Sequence, residues 1–98
     1  MSTVSLEEVK NYLQITWDDP DTNQRLTGII ARGESYLEHI AGGSLDFSEE
    51  SRPRALLLDY CRYANANALE DFPVNFLAEL NGMRLERQVA ERAEESGV

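Results

Sequence analysis

The side chains of this sequence best equipped for chemistry are its one cysteine, Cys61, and its one histidine, His39. A thiolate nucleophile needs a neighbouring base or cation that lowers its pKa. Cys61 stands in Tyr60-Cys61-Arg62-Tyr63-Ala64, a mid-helix setting in which cysteine packs as a small hydrophobe. His39 is remote from it in sequence and lies near the end of a helical stretch, where an imidazolium favours the negative end of the dipole. A single cysteine supplies neither an intrachain disulfide nor a cysteine-based metal site. Asp18, Asp19 and Asp21 cluster as cation ligands can, but a calcium loop needs a glycine at its sixth position and a distal glutamate. The following Asn23-Gln24-Arg25-Leu26 does not supply that spacing, and helix capping explains the acids better. No glycine-rich phosphate loop follows a strand. No cofactor, metal or small-molecule substrate is therefore expected. The convergent, chemically distinct titratable groups of an enzyme are absent from the pattern.

Other side chains suit recognition. Arg52 and Arg54 flank Pro53 and, with Arg62, form a local basic bias in an acidic chain. They either pair with Glu49, Glu50 or Asp59, which would contribute little stability, or meet the acidic face of a neighbouring copy. Trp17 sits in a linker of acids. It is either a lid over the core, with its indole tip at the surface, or an exposed protein-binding anchor. Arg84, Arg87, Glu91 and Arg92 belong to a polar C-terminal helix with only Leu85 and Val89 as apolar members. A helix that polar is solvated or waits for a partner.

The elements that position these residues read as helices throughout. Ser5-Leu6-Glu7-Glu8 is a capping box, and Leu6, Val9 and Leu13 share the face that follows it. Asp19 and Pro20 open a second helix running to Ala41, with Leu26, Ile29, Ile30, Gly33, Tyr36, Leu37 and Ile40 as its apolar stripe. Gly33 within that stripe costs about 1 kcal/mol of helix propensity, which close approach of another helix would offset. Gly42-Gly43 ends the helix. Leu45 and Phe47, in the polar loop from Ser44 to Ser51, are expected to fold back over the core edge. A third helix is predicted from Arg52 to about Glu70, burying Leu56, Leu57, Tyr60, Cys61, Ala64, Ala68 and Leu69. Pro73 opens a fourth, capped by Asp71, with Phe76, Leu77, Leu80 and Met83 inward. Asn81-Gly82 is a turn pair that kinks or divides it.

The reading is an all-α fold: a small bundle of four to five helices in one domain, 1–98, with residues 84–98 a polar extension. The 98 residues allow a modest single core, and the 42% of hydrophobic residues argues against wholesale disorder. The net charge of −9, from 18 acids and 9 bases, argues against a sequence-independent DNA binder. It serves solubility, or a surface that lies near nucleic acid without holding it. A helix-turn-helix reader is disfavoured, because no short-turn helix pair carries a basic second helix. No apolar run reaches the length of a membrane span. The N-terminus lacks a basic-then-apolar secretory pattern. A soluble protein of a reducing cytoplasm is expected.

Four segments together resemble the small head–tail connector (head-completion) proteins of tailed bacteriophages. They are Leu6-Glu7-Glu8-Val9-Lys10-Asn11-Tyr12-Leu13-Gln14-Ile15 before an acidic linker, and Leu26, Ile29, Ile30, Ala31, Tyr36, Leu37 and Ile40 before Gly42-Gly43. The others are the alanine-rich Leu57-Leu58-Asp59-Tyr60-Cys61-Arg62-Tyr63-Ala64, and Phe76, Leu77 and Leu80 ahead of a polar helix. The resemblance implies a non-enzymatic subunit of a ring of about a dozen copies, built through a heterologous interface. That ring would lie below the portal protein in the virion neck after assembly in the host cytoplasm. It would continue the DNA channel without binding DNA specifically and receive the next neck or tail protein. Trp17, Arg52, Arg54, Arg84, Arg87, Glu91 and Arg92 are then the candidate subunit or portal interface. The competing expectation is an acidic helical adaptor or antitoxin-like module whose acidity mimics nucleic acid or covers a basic partner, forming a stable dimer with a single high-affinity partner and not a ring.

Overall fold

The computed structural model describes residues 4–48 and 50–96, with side-chain environments through Val89. Every regular element among them is helical: α1 (Leu6–Tyr12), α2 (Pro20–Ala41), α3 (Arg52–Asn65), a 3₁₀ turn (Leu69–Asp71), α4 (Phe72–Asn75) and α5 (Leu77–Ser96). The all-α bundle is therefore as the patterning predicts. No described helix is long and apolar enough to cross a membrane.

Local chemistry sets the helix ends. The Glu8 amide donates to Ser5 Oγ at 3.1 Å, and the Ser5 amide donates to Glu8 Oε1 at 3.2 Å, completing the capping box. Asp19 Oδ2 accepts from the Thr22 amide at 3.2 Å and from the Thr22 hydroxyl at 2.8 Å, with Pro20 in the first turn that follows. Gly42 ends α2 at φ 87°, a conformation that favours glycine. Gln14, at φ 61°, closes α1 in the same left-handed way while the Ile15 amide donates back to the Lys10 carbonyl at 2.8 Å.

The core gathers on α2 and α3. Leu26, Leu37, Leu57 and Cys61 are wholly buried there. Gly33 marks where the two helices touch: a Cβ on it would lie 2.7 Å from both Leu57 Cδ1 and Tyr60 Cδ1. That is the close approach that a mid-helix glycine requires. Contacts along the bundle fix its directions. Arg25, early in α2, reaches Asn65 at the end of α3 at 2.9 Å, so these two helices run antiparallel. Glu8 meets Arg54 and Tyr12 meets Asp59, so α1 runs alongside α3 in the same direction. Arg52, at the start of α3, pairs with Glu86, so α5 passes that end near its midpoint. Phe47 folds back from its loop to 1% exposure and Leu45 packs partly on the core, as expected.

Three boundaries differ from the expectation. Helix α3 stops at Asn65 and not near Glu70. Asn67 turns left-handed at φ 58°, and the Ala68 amide donates to the Tyr63 carbonyl at 2.9 Å. Asparagine tolerates this conformation better than most residues. The turn brings Phe72 onto an aromatic cluster, with ring centroids 5.6 Å from Tyr60, 5.7 Å from Tyr63 and 6.1 Å from Tyr36. Ala68 and Leu69 are consequently only partly buried. Asp71 makes no side-chain cap. The interruption expected at Asn81-Gly82 falls instead at Phe76, whose backbone leaves the helix while its ring stacks 4.9 Å from Phe72. The helix continues through Gly82, and the Arg52 guanidinium packs across that position: a Cβ there would stand 2.9 Å from Nη1. Leu77, expected inward, is 59% exposed, whereas Leu80 and Met83 are buried.

Candidate subunit interface

Trp17 is not a lid. It is 56% exposed, the side of its linker being set by fixed neighbours. Lys10, itself buried, pairs with Asp18 at 3.6 Å, and Asp18 Oδ1 accepts from Asn23 Nδ2 at 2.7 Å. The Asn23 hydrogen bond and the Lys10 charge hold the Asp18 carboxyl below the ordinary carboxylate range. Hydrogen bonds from the Thr22 side chain and backbone do the same for Asp19. With Ile15 buried ahead of it and Asp19 capping α2 behind it, the linker holds the indole outward. Trp17 borders an open depression lined by Glu7, Lys10, Asn11, Ile15, Thr16 and Asp18. Two of the three clustered aspartates are thus engaged in ordering the linker. Among the described residues no group of histidine, cysteine or acidic side chains is placed to hold a metal ion.

The two arginines around Pro53 are drawn into the fold in different ways. Arg54 is 15% exposed; it pairs with Glu8, lies 3.8 Å from Glu50, and donates to the Phe47 carbonyl at 3.2 Å. It ties α1, the preceding loop and α3 together. Arg52 is more open and its Nε donates to Glu86 Oε1 at 2.6 Å, tying α3 to α5. Of the partners expected for Arg52, Arg54 and Arg62, Glu50 lies by Arg54 and Asp59 pairs with Arg62 at 3.4 Å, while Glu49 lies outside the described residues. Asp59 Oδ1 accepts the Tyr12 hydroxyl at 2.5 Å and stands 3.4 Å from Arg62. Glu8 and Glu86 were not signalled, since both come from distant segments.

Along α5, Arg84 is exposed and lines an open depression with His39, Ile40, Ala41, Gly42 and Gln88. Arg87 is half-buried and its guanidinium packs directly on Gly43. The side chains of Glu91 and Arg92 lie outside the described environments. The structure therefore brings Arg84 and Arg87 together near the end of α2, with Arg52 near Gly82, and leaves Trp17 elsewhere. What sequence reasoning missed is the solvent side of α5. Leu77, Asn81, Leu85 and Val89, each four residues from the last, are all exposed, at 59%, 60% and 64% for the three apolar members. The four-residue spacing is present in the sequence, but the exposure of Leu77 depends on where α5 begins.

Cys61 is fully buried, and burial pushes its thiol up to about 12. At neutral pH it stays protonated, as a packed core residue does. His39 is exposed in the last turn of α2. No family model matches this chain, and neither a curated protein nor a solved structure matches it.

Proposed function

We propose that this chain is a head–tail connector subunit of a tailed bacteriophage, assembling as a ring below the portal protein in the virion neck. One observation supports this reading most: an acidic helical body carries large exposed apolar side chains on separate elements, Trp17 on the α1–α2 linker and Leu77, Leu85 and Val89 on α5. Isolated exposed apolar residues are ordinary, but a tryptophan and a regular helical ridge are shapes that partners cover. Two unlike surfaces on one subunit are what a heterologous, ring-closing interface needs. The net charge of −9 suits a channel that passes DNA without holding it, since there is little cationic surface to replace phosphate counterions. The distal turns of α5, which continues to Ser96, offer a lever for the portal or the next neck protein. In this role the chain performs no catalysis and takes no cofactor or small-molecule substrate.

Retention on immobilised portal rings tests the reading. The chain should be held at a stoichiometry near one copy per portal subunit. An acidic adaptor or antitoxin-like module would pass through the portal column and form a dimer with one basic partner.

A further inference from the structure

We infer that the outer ridge of α5 in one copy docks on the Trp17 face of the next copy, making a head-to-tail contact. This rests on the connector reading and names the two surfaces that would build its ring. Placement along the bundle is the first argument. Trp17 lies between the end of α1 and the start of α2, and the start of α2 is beside the end of α3 through Arg25 and Asn65. Leu85 and Val89 flank Glu86 and Arg87, which contact the start of α3 and Gly43 after the end of α2. The distal part of the ridge, Leu85 and Val89, therefore sits at the opposite end of the α2–α3 pair from Trp17, while Leu77 starts the ridge beside Phe76 at the end of α3. A copy can offer both at once, so each subunit can be donor and acceptor.

Shape and charge supply the second argument. Leu77, Asn81, Leu85 and Val89 form an i, i+4, i+8, i+12 ridge, the feature that packs into a groove of a facing surface. No member is charged, in a chain of net charge −9. Arg84 is exposed beside it, and Glu86 is neutralised by Arg52. The Trp17 face has the opposite character. Exposed Glu7 and Asp18 line the depression that Trp17 borders, and the single cation in that lining, Lys10, is buried in its pair with Asp18. An apolar ridge with a flanking arginine matches an indole rimmed by carboxylates, with the guanidinium able to reach a carboxylate or the ring face.

Trp17 is the one tryptophan of the chain, so its fluorescence reads this face directly. On raising the protein concentration, or on adding portal rings, the emission should shift to the blue as the indole leaves water. Leu85→Glu and Val89→Glu, both at exposed positions, should remove that shift and the association while leaving helical circular dichroism and thermal unfolding unchanged. Cross-linking gives an independent readout. A mixture of Trp17→Cys and Leu85→Cys chains, treated with a short bismaleimide, should give covalent heterodimers that neither chain gives alone. If the chain assembles with no change at Trp17, or if Leu85→Cys chains cross-link to each other, the docking is wrong while the connector reading stands. Absence of any association, with or without portal, overturns both.

Discussion

The Tyr12 hydroxyl donates to the Asp59 carboxylate at 2.5 Å, fastening the end of α1 to the middle of α3. Helix α1 has seven residues, too few to persist in water by itself. Its place therefore depends on this bond, on Glu8 with Arg54, and on buried Val9. The linker bearing Trp17 begins immediately beyond, so the docking of α1 also sets the position of the indole. Tyr12→Phe should lower stability by about 0.5–1 kcal/mol, the range of a partly exposed hydrogen bond to a charged acceptor. The hydrogen bond to Asp59, with burial, raises the Tyr12 pKa above its ordinary 10.0. A group raised in the folded state contributes fully below its unfolded pKa and loses that contribution as pH rises through the folded one. Thermal unfolding should thus show an alkaline decline above pH 10 that is shallower in Tyr12→Phe. The buried Cys61 thiol, raised to about 12, adds to the decline in both proteins.

Two glycines of α2 should respond in opposite directions to the same substitution. Gly33→Ala forces a methyl against Leu57 and Tyr60 at 2.7 Å and should cost about 1–3 kcal/mol, despite better helix propensity. At Gly28 the nearest atom is the flexible end of Arg32, at 3.3 Å, so Gly28→Ala should stabilise by about 0.5–1 kcal/mol. Chemical denaturation of the two variants compares them directly.

Arg54→Ala should destabilise more than Arg52→Ala. The first leaves the Phe47 carbonyl and Glu8 without their guanidinium in a largely covered site, a loss of about 1–3 kcal/mol. The second breaks a more open pair with Glu86, worth about 1 kcal/mol or less. Equal losses in denaturant midpoint would contradict this ranking. If Arg52→Ala weakens assembly without weakening the fold, its joint with α5 acts through the ridge it supports.

Asp19→Ala should lower the melting temperature at neutral pH, whereas Asp19→Asn, which keeps a capping oxygen, should lower it less. The Asp18 and Asp19 carboxyls are held below 3.8 in the folded chain, so their contribution is complete above that pH and is lost as pH falls through the lowered values. The acid limb of the stability profile should therefore flatten in Asp19→Ala. A parallel limb in both proteins would mean that the cap is not titrating with the fold.

What was legible in the sequence was mostly local. Ser5 with Glu8, Asp19 with Pro20, and Gly42 fix helix ends through neighbours three or four residues away, and each stands where the pattern placed it. Gly33 was readable because a glycine inside an apolar stripe has few other uses. The boundaries that were misplaced depend on distant partners. Asn67 and Phe76 yield to an aromatic cluster whose members come from α2, α3, α4 and the turn between α4 and α5, and no local propensity encodes that pull. Arg54 found Glu8 across a long sequence separation for the same reason. The interface candidates divide similarly: residue type singled out Trp17, but only its fixed linker shows that it faces water, and only the true start of α5 turns Leu77 outward.

Native mass measurement of the purified chain, alone and bound to isolated portal rings, tests the central claim most directly. One closed species on the portal is expected, of about a dozen subunits joined head to tail. A chain that remains monomeric or stops at a dimer in the presence of portal would contradict it.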